Sequence, residues 1–137
     1  MTQGDAPRME PGLEGRLERV VPLEWTLAHF DPNLPAVFST PAMIGLMEIT
    51  ASHVIRPALP PGALTVGTRI EVDHVKAVPA GVTVVAKAKL IEVNGRRLIF
   101  DVEVSSGAEV IGHGRIFRAI VDHARFNAIA AGKPPSI

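Results

Sequence analysis

The sequence predicts an α+β fold in which an antiparallel β-sheet surrounds one long buried helix. Residues 42–55 are apolar on most sides of a helical wheel, which is typical of a helix that is enclosed on several sides. Beyond Gly62, apolar residues recur at every second position, as in strands with one buried face. Asn94-Gly95 lies between two such segments and favours a tight hairpin turn, so these strands are predicted to be antiparallel.

The chain is expected to form one domain, residues 13–131. A length of 137 residues is enough for one hydrophobic core and too short for two. Residues 1–12 are polar and rich in glycine and proline, so they predict a flexible N-terminal tail, and residues 132–137 predict a C-terminal tail. Residues 13–23 predict an edge strand, and residues 25–37 predict an irregular or briefly helical loop because prolines interrupt them.

The long helix is predicted to begin at Thr40 and to end before Pro57. Thr40 would be the N-cap and Pro41 the first helical residue, an order that helix starts favour. A meander of four antiparallel strands is predicted to follow at residues 68–74, 82–93, 96–105 and 109–121, with a short helix at 122–131. This order is the layout of a hot-dog fold, a sheet wrapped around a central helix. One such chain leaves a sheet edge and one side of the helix uncovered, so we expect dimerisation.

The composition excludes several classes of partner and site. The 14 basic residues balance 14 acidic ones, so no net field attracts nucleic acid or an anionic membrane surface. The absence of cysteine excludes disulfides, thiolate metal ligands and cysteine nucleophiles, and it fits a reducing cytoplasm. We find no secretory signal core, no membrane-spanning run and no metal-site spacing among the histidines, so a cytoplasmic protein without a metal site is expected.

Glu48 is the first candidate for chemistry, because it interrupts the apolar helix without a basic residue three or four positions away. A carboxylate that is buried without a partner is costly, so Glu48 should face a cavity or meet a group from elsewhere in the protein. That environment suits a general base or a nucleophile. A glutamate that reaches solvent through a gap in the packing would explain the same pattern.

His74 shares the apolar face of its strand with Ile70 and Val72, whereas Asp73 points to the other face. It is therefore expected to face the helix, where it would be either an ordinary core residue or a catalyst. This position lies at the same helix–sheet interface as Glu48. We therefore expect the two side chains to share one pocket.

Thr40 and Arg118 complete the candidates that the pattern alone indicates. Thr40 would cap the helix, or its hydroxyl and the nearby free amides would stabilise an oxyanion. Because Thr40 and Glu48 are separated by about 12 Å along the helix axis, a group from a second subunit could complete the site. Arg118 shares a strand face with Gly112 and Gly114, where it could pair with Glu48 or with a residue across an interface.

Several short motifs follow one another over about residues 21–127, nearly the whole domain. The run 37–48 reads Val-Phe-Ser-Thr-Pro-Ala-Met-Ile-Gly-Leu-Met-Glu. The other motifs are Gly67-Thr68, Val72-Asp73-His74, Gly95-Arg96-Arg97-Leu98 and Phe126-Asn127-Ala128. In order and spacing these motifs resemble the fluoroacetyl-CoA thioesterase family, in which the run 37–48 is similar to the helix-entry motif.

The resemblance implies an acyl-CoA thioesterase, which hydrolyses a thioester to a free acid and CoA. It implies that Thr40, Glu48 and His74 form the catalytic set. It also implies that Gly67 and Arg118 bind the substrate, and a CoA phosphate is a further candidate partner of Arg118. It also implies a homodimer or a dimer of dimers with active sites between subunits. No metal or organic cofactor is expected, since CoA is part of the substrate. Water would attack the thioester directly, activated by His74, or would hydrolyse an acyl intermediate on Glu48.

The loop before the helix departs from this family. The fluoroacetyl enzymes close their pocket with aromatic lid residues, whereas residues 31–35 here read Asp-Pro-Asn-Leu-Pro. Selectivity for fluoroacetyl-CoA is therefore not expected, and the acyl group stays open. The same loop is similar to the aspartate-asparagine-proline motif of hot-dog enoyl-CoA hydratases and dehydratases, without their histidine. A hydratase or dehydratase and a non-catalytic acyl-CoA-binding module therefore remain as alternatives.

Overall fold

The computed structural model of the chain describes residues 6–133, which form one five-stranded antiparallel sheet with a long helix against one face. The strands are β1 (Glu14–Val20), β2 (Ala63–His74), β3 (Thr83–Asn94), β4 (Arg97–Ser106) and β5 (Glu109–Asp122). The helices are α1 (Leu27–Phe30), α2 (Thr40–Ile55) and α3 (His123–Ala130), with 3-10 turns at Leu23–Trp25 and Arg56–Ala58. In this described part of the chain, no helix is long and apolar enough to cross a membrane.

The alternation in the sequence correctly predicts the residues of the core. On β3 and β4, the buried residues of the inward face are Val84, Ala86, Ala88, Leu90, Leu98, Phe100, Val102 and Val104. The buried residues of α2 are Met43, Leu46, Met47, Thr50, Ala51, Val54 and Ile55. Helix and sheet bury these two faces against each other, and the sheet wraps around α2. The predicted hot-dog fold is confirmed.

The strand order differs from the predicted four-stranded meander. The strands β3, β4 and β5 are consecutive neighbours, but β2 pairs with β5 at one edge of the sheet and β1 pairs with β3 at the other. The connection 75–82 does not form a hairpin, because its backbone groups form hydrogen bonds with other segments. The Val75 amide donates to the Ile111 carbonyl, and the Val78 carbonyl accepts from the Phe38 amide. The first bond continues the pairing of β2 with β5. Because β2 pairs with no other strand of the described sheet, it lies at the edge.

The N-cap of α2 is one residue earlier than predicted. Ser39 caps the helix, since its Oγ accepts a hydrogen bond from the Ala42 amide at 3.2 Å. Thr40 is the first helical residue and is followed by Pro41. The predicted cap at Thr40 is wrong because Ser39 has the extended backbone that a cap requires, with φ −80° and ψ 151°. The hydroxyl of Thr40 is therefore free for another partner.

A β-bulge at Thr68 changes which residues of β2 face the helix. The register shifts between Gly67 and Arg69, so Thr68 is the extra residue on β2. Unbroken alternation would put Gly67 on the outer face with Arg69. The bulge puts Gly67 on the helix-facing side instead, opposite Arg118 of β5, while His74 further along the strand also faces α2.

The two glycines of β5 permit close approach, as the sequence predicts. A Cβ added at Gly112 would lie 2.7 Å from Met43 Cε, and one added at Gly114 would lie 2.6 Å from Val72 Cα. Gly114 also has a φ of 154°, which L side chains rarely adopt. These two positions let α2 and β2 lie close to β5.

Candidate active site

Thr40 and His74 form the first half of the candidate site. The Oγ1 of Thr40 lies 2.7 Å from Nδ1 of His74 and links the start of α2 to the end of β2. The Phe38 ring meets the imidazole edge to face, with centroids 6.2 Å apart, and Trp25 stacks on Phe38 at 6.3 Å. His74 therefore faces the helix layer, as predicted, and both a hydrogen bond and an aromatic contact fix its ring.

The other ring nitrogen of His74, Nε2, is buried and has no hydrogen-bond partner among residues 6–133. If Nδ1–H donates to Thr40, Nε2 is a free acceptor and the Thr40 hydroxyl keeps its own hydrogen for another group. If the Thr40 hydroxyl donates to Nδ1, Nε2 carries a hydrogen and can donate it to a ligand in a hydrogen bond. Either tautomer leaves His74 with one uncommitted position.

Few amides at the start of α2 remain free to bind an oxyanion. The Ala42 amide donates to Ser39 Oγ, and the Met43 amide donates to the Ser39 carbonyl oxygen. Pro41 has no N–H. The Thr40 amide donates to no acceptor among residues 6–133. The predicted group of nearby amides is thus reduced to the Thr40 amide, next to the Thr40 hydroxyl.

Glu48 and Arg118 form the second half of the candidate site. Arg118 Nη1 donates to Glu48 Oε2 at 2.6 Å, its Nε donates to Thr65 Oγ1 at 2.9 Å and its Nη2 donates to the Thr65 carbonyl oxygen at 2.8 Å. The Arg118 side chain is only 7% exposed and that of Glu48 is 26% exposed. Of the partners predicted for Arg118, the structure shows Glu48, and the contact with a CoA phosphate stays a prediction.

Gly67 lies against the Glu48 carboxylate. A Cβ added at Gly67 would lie 2.7 Å from Glu48 Oε1 and 2.9 Å from Glu48 Cδ. Only a residue without a side chain therefore lets this carboxylate rest against β2. Glu48 Oε1 is itself buried and has no hydrogen-bond partner among residues 6–133. As predicted, Glu48 meets a group from elsewhere in the protein, and one of its oxygens is left uncommitted.

One chain does not bring Glu48 and His74 together. His74 contacts Thr40 at the start of α2, whereas Glu48 lies about 12 Å further along the helix axis. On β2, Gly67 and His74 are likewise separated by about 20 Å of extended strand. Within one chain, α2 and β2 each carry the two contacts at opposite positions along their length. The common pocket of Glu48 and His74 therefore stays a prediction.

A cavity of about 280 Å³ opens beside Glu48 and Arg118 and is also lined by Ile49, Ser52 and Arg56. A larger groove of about 800 Å³ crosses the outer face of the sheet between charged side chains. None of the predicted site residues lines that groove. The smaller cavity is the relevant one because it adjoins the Glu48 carboxylate.

Sequence reasoning missed three residues that shape the two halves. Ser39 could have been considered, because a hydroxyl residue directly before Thr-Pro fits a cap equally well. Thr65 lay outside the predicted strand 68–74, since the glycine at position 67 and the bulge after it interrupt the alternation. Phe38 belongs to an irregular segment, where no periodic pattern predicts which side chain will be buried against His74.

The chain is similar to proteins of one family along most of its length. The family model described as fluoroacetyl-CoA-specific thioesterase matches residues 23–124. The fluoroacetyl-CoA thioesterase of Streptantibioticus cattleyicolor is 39% identical over 123 residues, which are 85% of this chain and 88% of that protein.

Solved structures agree with these sequence matches. A fluoroacetyl-CoA thioesterase superimposes with a TM-score of 0.85 at 37% identity, covering 94% of this chain and 100% of that chain. A thioesterase superfamily member from Thermus thermophilus superimposes with a TM-score of 0.81 at 26% identity, covering 90% of this chain and 92% of its own. The chain therefore belongs to the fluoroacetyl-CoA-specific thioesterase family, whose members are thioester hydrolases of the hot-dog fold.

Proposed function

We propose that this protein is an acyl-CoA thioesterase with Thr40, Glu48 and His74 as its catalytic residues. The observation that carries the proposal is that each half of the site holds a titratable group with one atom fixed and another buried without a partner. In His74, Nδ1 is fixed by Thr40, and in Glu48, Oε2 is fixed by Arg118. Hydrolysis by water needs such oriented, uncommitted acid–base groups.

We further propose that the working site is formed between two subunits of a homodimer. Glu48 of one subunit would act with Thr40 and His74 of the other, because one chain holds these groups apart. The uncommitted Glu48 Oε1 and His74 Nε2 support this arrangement, since buried polar atoms normally have a partner. A second subunit, or the substrate between the subunits, would supply it.

The edge strand β2 supports the same dimer. Ile70 and Val75 are exposed at 39% and 56% on or next to this edge, and Ile49 of α2 is exposed at 55%. Exposed apolar strand edges tend to be covered. If two β2 edges pair in antiparallel fashion about a two-fold axis, the strand directions are reversed. The Gly67 region of one strand then approaches the His74 end of the other, which brings the two halves of the site together.

The proposed reaction adds water across the C–S bond of the thioester. A water molecule loses a proton to His74 Nε2 or to Glu48 Oε1 and attacks the carbonyl carbon, and the Thr40 hydroxyl and amide stabilise the oxyanion. The C–S bond then breaks, and the group that took the proton, His74 or Glu48, returns it to the departing thiolate. The alternative route forms an acyl intermediate on Glu48, which water hydrolyses in a second step. Both routes release a free acid and CoA.

Arg118 is proposed to act through the Glu48 carboxylate. Gly67 is proposed to lie at the acyl end of the substrate. Arg118 holds one oxygen of the Glu48 carboxylate in place by a direct ion pair. Gly67 leaves room beside the carboxylate for the acyl group. The proposed reaction needs no cofactor, because the substrate itself carries CoA. The lack of cysteine in the whole chain is compatible with the reducing cytoplasm, where we place the enzyme.

The test of both proposals uses two variants, Glu48→Gln and His74→Ala. Each is expected to lower kcat for acyl-CoA hydrolysis by at least about 100-fold while keeping the fold, because each removes an acid–base group. Thiol release from acetyl-, fluoroacetyl-, medium-chain and aromatic acyl-CoAs measures the loss, and hydration of crotonyl-CoA serves as the parallel assay. Near-normal hydrolysis by both variants would contradict the catalytic assignment.

Mixing the two inactive variants distinguishes a site between subunits from a site within one chain. After unfolding and refolding together, about half of the dimers are mixed, and each mixed dimer regains one intact site only if Glu48 and His74 come from different chains. Activity is then expected to recover to about a quarter of the wild-type value. Refolded mixtures without any recovery, with dimers verified by light scattering, would show that the shared-site proposal is wrong.

A further inference from the structure

We propose that Thr65 is a positioning residue for thioester hydrolysis, which orients the Glu48 carboxylate through the Arg118 guanidinium. This inference rests on the proposed catalytic role of Glu48. Thr65 lies on β2, is only 7% exposed and accepts hydrogen bonds from Arg118 with both its hydroxyl and its carbonyl oxygen. The remaining guanidinium nitrogen, Nη1, faces Glu48 at 2.6 Å.

The geometry of the guanidinium explains why the hydroxyl matters. A guanidinium is a planar fork whose Nε and one Nη group lie along one edge. With the Thr65 carbonyl alone, the guanidinium would be held to Thr65 only at Nη2, and its plane could rotate about that hydrogen bond. The Thr65 hydroxyl holds Nε as a second point, at 2.9 Å, and so fixes the plane and the direction of Nη1.

Arg118 provides the hydrogen bond that orients the Glu48 carboxylate. Its Oε2 is held by Arg118, its Oε1 has no partner among residues 6–133, and the adjacent Gly67 offers no side chain that could hold it. Arg118 is therefore the hydrogen-bond partner that sets the direction of the carboxylate, and rotation of the guanidinium would turn it. Because catalysis is sensitive to displacements of about 1 Å, the loss of the Thr65 hydroxyl should be felt in turnover.

Thr65→Val and Thr65→Ser form the matched pair for this inference. Valine keeps the branched shape that suits a strand and removes the hydroxyl, whereas serine keeps the hydroxyl. Thr65→Val is expected to lower kcat about tenfold with KM changed less than about twofold, and Thr65→Ser to stay within about threefold of wild type. The assays are run well below the thermal midpoint of each dimer, so that loss of folded protein does not contribute.

The same substitution in a Glu48→Gln background separates positioning from a merely structural role. If Thr65 acts through Glu48, adding Thr65→Val to Glu48→Gln should lower kcat by less than about twofold further. A structural role predicts the same proportional loss in both backgrounds. If Thr65→Val is too unstable to assay, Thr65→Ala, which keeps the carbonyl contact, is held to the same criteria.

Three results would overturn the inference. They are a folded Thr65→Val enzyme with wild-type kcat, a full additional loss in the Glu48→Gln background, and equal losses in Thr65→Val and Thr65→Ser, since the hydroxyl would then not be the active feature. Failure of the proposed function looks different. In that case Glu48→Gln alone retains turnover, whatever the Thr65 variants do.

Discussion

The hydroxyl of Thr40 lies 2.7 Å from Nδ1 of His74 and takes no part in capping α2, because Ser39 is the cap. Of the two adjacent hydroxyl residues at this helix start, Ser39 caps the helix and Thr40 contacts His74. Ser39 satisfies the Ala42 and Met43 amides with its side chain and its carbonyl oxygen. This leaves the Thr40 hydroxyl available for chemistry. The contribution of Ser39 to stability and that of Thr40 to turnover can therefore be separated by mutation.

Replacing Thr40 by valine should impair turnover more than stability. The branched shape is kept, the Ser39 cap is untouched, and the hydroxyl that contacts His74 is lost. We expect kcat to fall by about 100-fold and the unfolding free energy to change by less than about 0.5 kcal/mol. Thiol-release kinetics and denaturant titration measure the two quantities.

Ser39→Ala is the matched control for that variant. Loss of the cap should destabilise the protein by about 1 kcal/mol, while kcat of the folded enzyme falls less than about threefold. The division of labour between the two residues is refuted if Thr40→Val turns over normally, or if Ser39→Ala shows the larger kinetic defect.

A methyl group at Gly67 should displace the Glu48 carboxylate. The added Cβ would lie 2.7 Å from Glu48 Oε1, which is closer than ordinary contact, so the flexible glutamate side chain must move. We expect Gly67→Ala to lower kcat about tenfold or more with little loss of stability. Val66→Ala, which shortens a side chain on the opposite face of the same strand, should leave kcat within about twofold. Equal kinetic effects in the two variants would argue against a specific contact at Gly67.

Deleting Thr68 should remove the bulge but keep the second half of the site. Gly67 pairs with Arg118 and Arg69 with Phe117, so without Thr68 these pairs become consecutive, and Gly67 and His74, then six positions apart, still share the face towards α2. We expect this variant to keep kcat within about tenfold, whereas removing Arg69 as well leaves an odd spacing, puts the two residues on opposite faces and should make hydrolysis undetectable. Thr68→Ala keeps the bulge and loses only the hydroxyl bond to the Phe117 carbonyl, at a cost of about 1 kcal/mol. Equal hydrolysis by the single and the double deletion variant would show that the shared face of Gly67 and His74 does not matter for the site.

Much of the fold could be predicted because strong local patterns determined it. Asn94-Gly95 forms the expected turn with Gly95 at φ 60°, and the alternating residues from Val84 to Val104 are buried as expected. The pairing of β2 with β5 could not be predicted in this way. It depends on bonds between distant segments, such as the Val75 amide with the Ile111 carbonyl, and these leave no periodic trace in the sequence.

The candidate site was predicted residue by residue but not in its arrangement. Glu48 and His74 could be identified because each breaks an apolar pattern, and each indeed has a buried uncommitted atom. Their separation within one chain depends on where α2 crosses β2, a tertiary relationship that a sequence pattern does not encode. The Thr68 bulge was missed because neither glycine nor proline stands at the extra position.

The placement of Thr40 and His74 at one end of α2, with Glu48 and Arg118 further along it, bears on how duplicated copies of this domain can diverge. If the site forms between two copies, as proposed, each domain of a tandem fusion would contribute to two composite sites. One domain could then lose its glutamate and the other its threonine and histidine, and one complete site would survive. Judged one at a time, both halves of such a fusion would look inactive, although the pair would still hydrolyse its thioester.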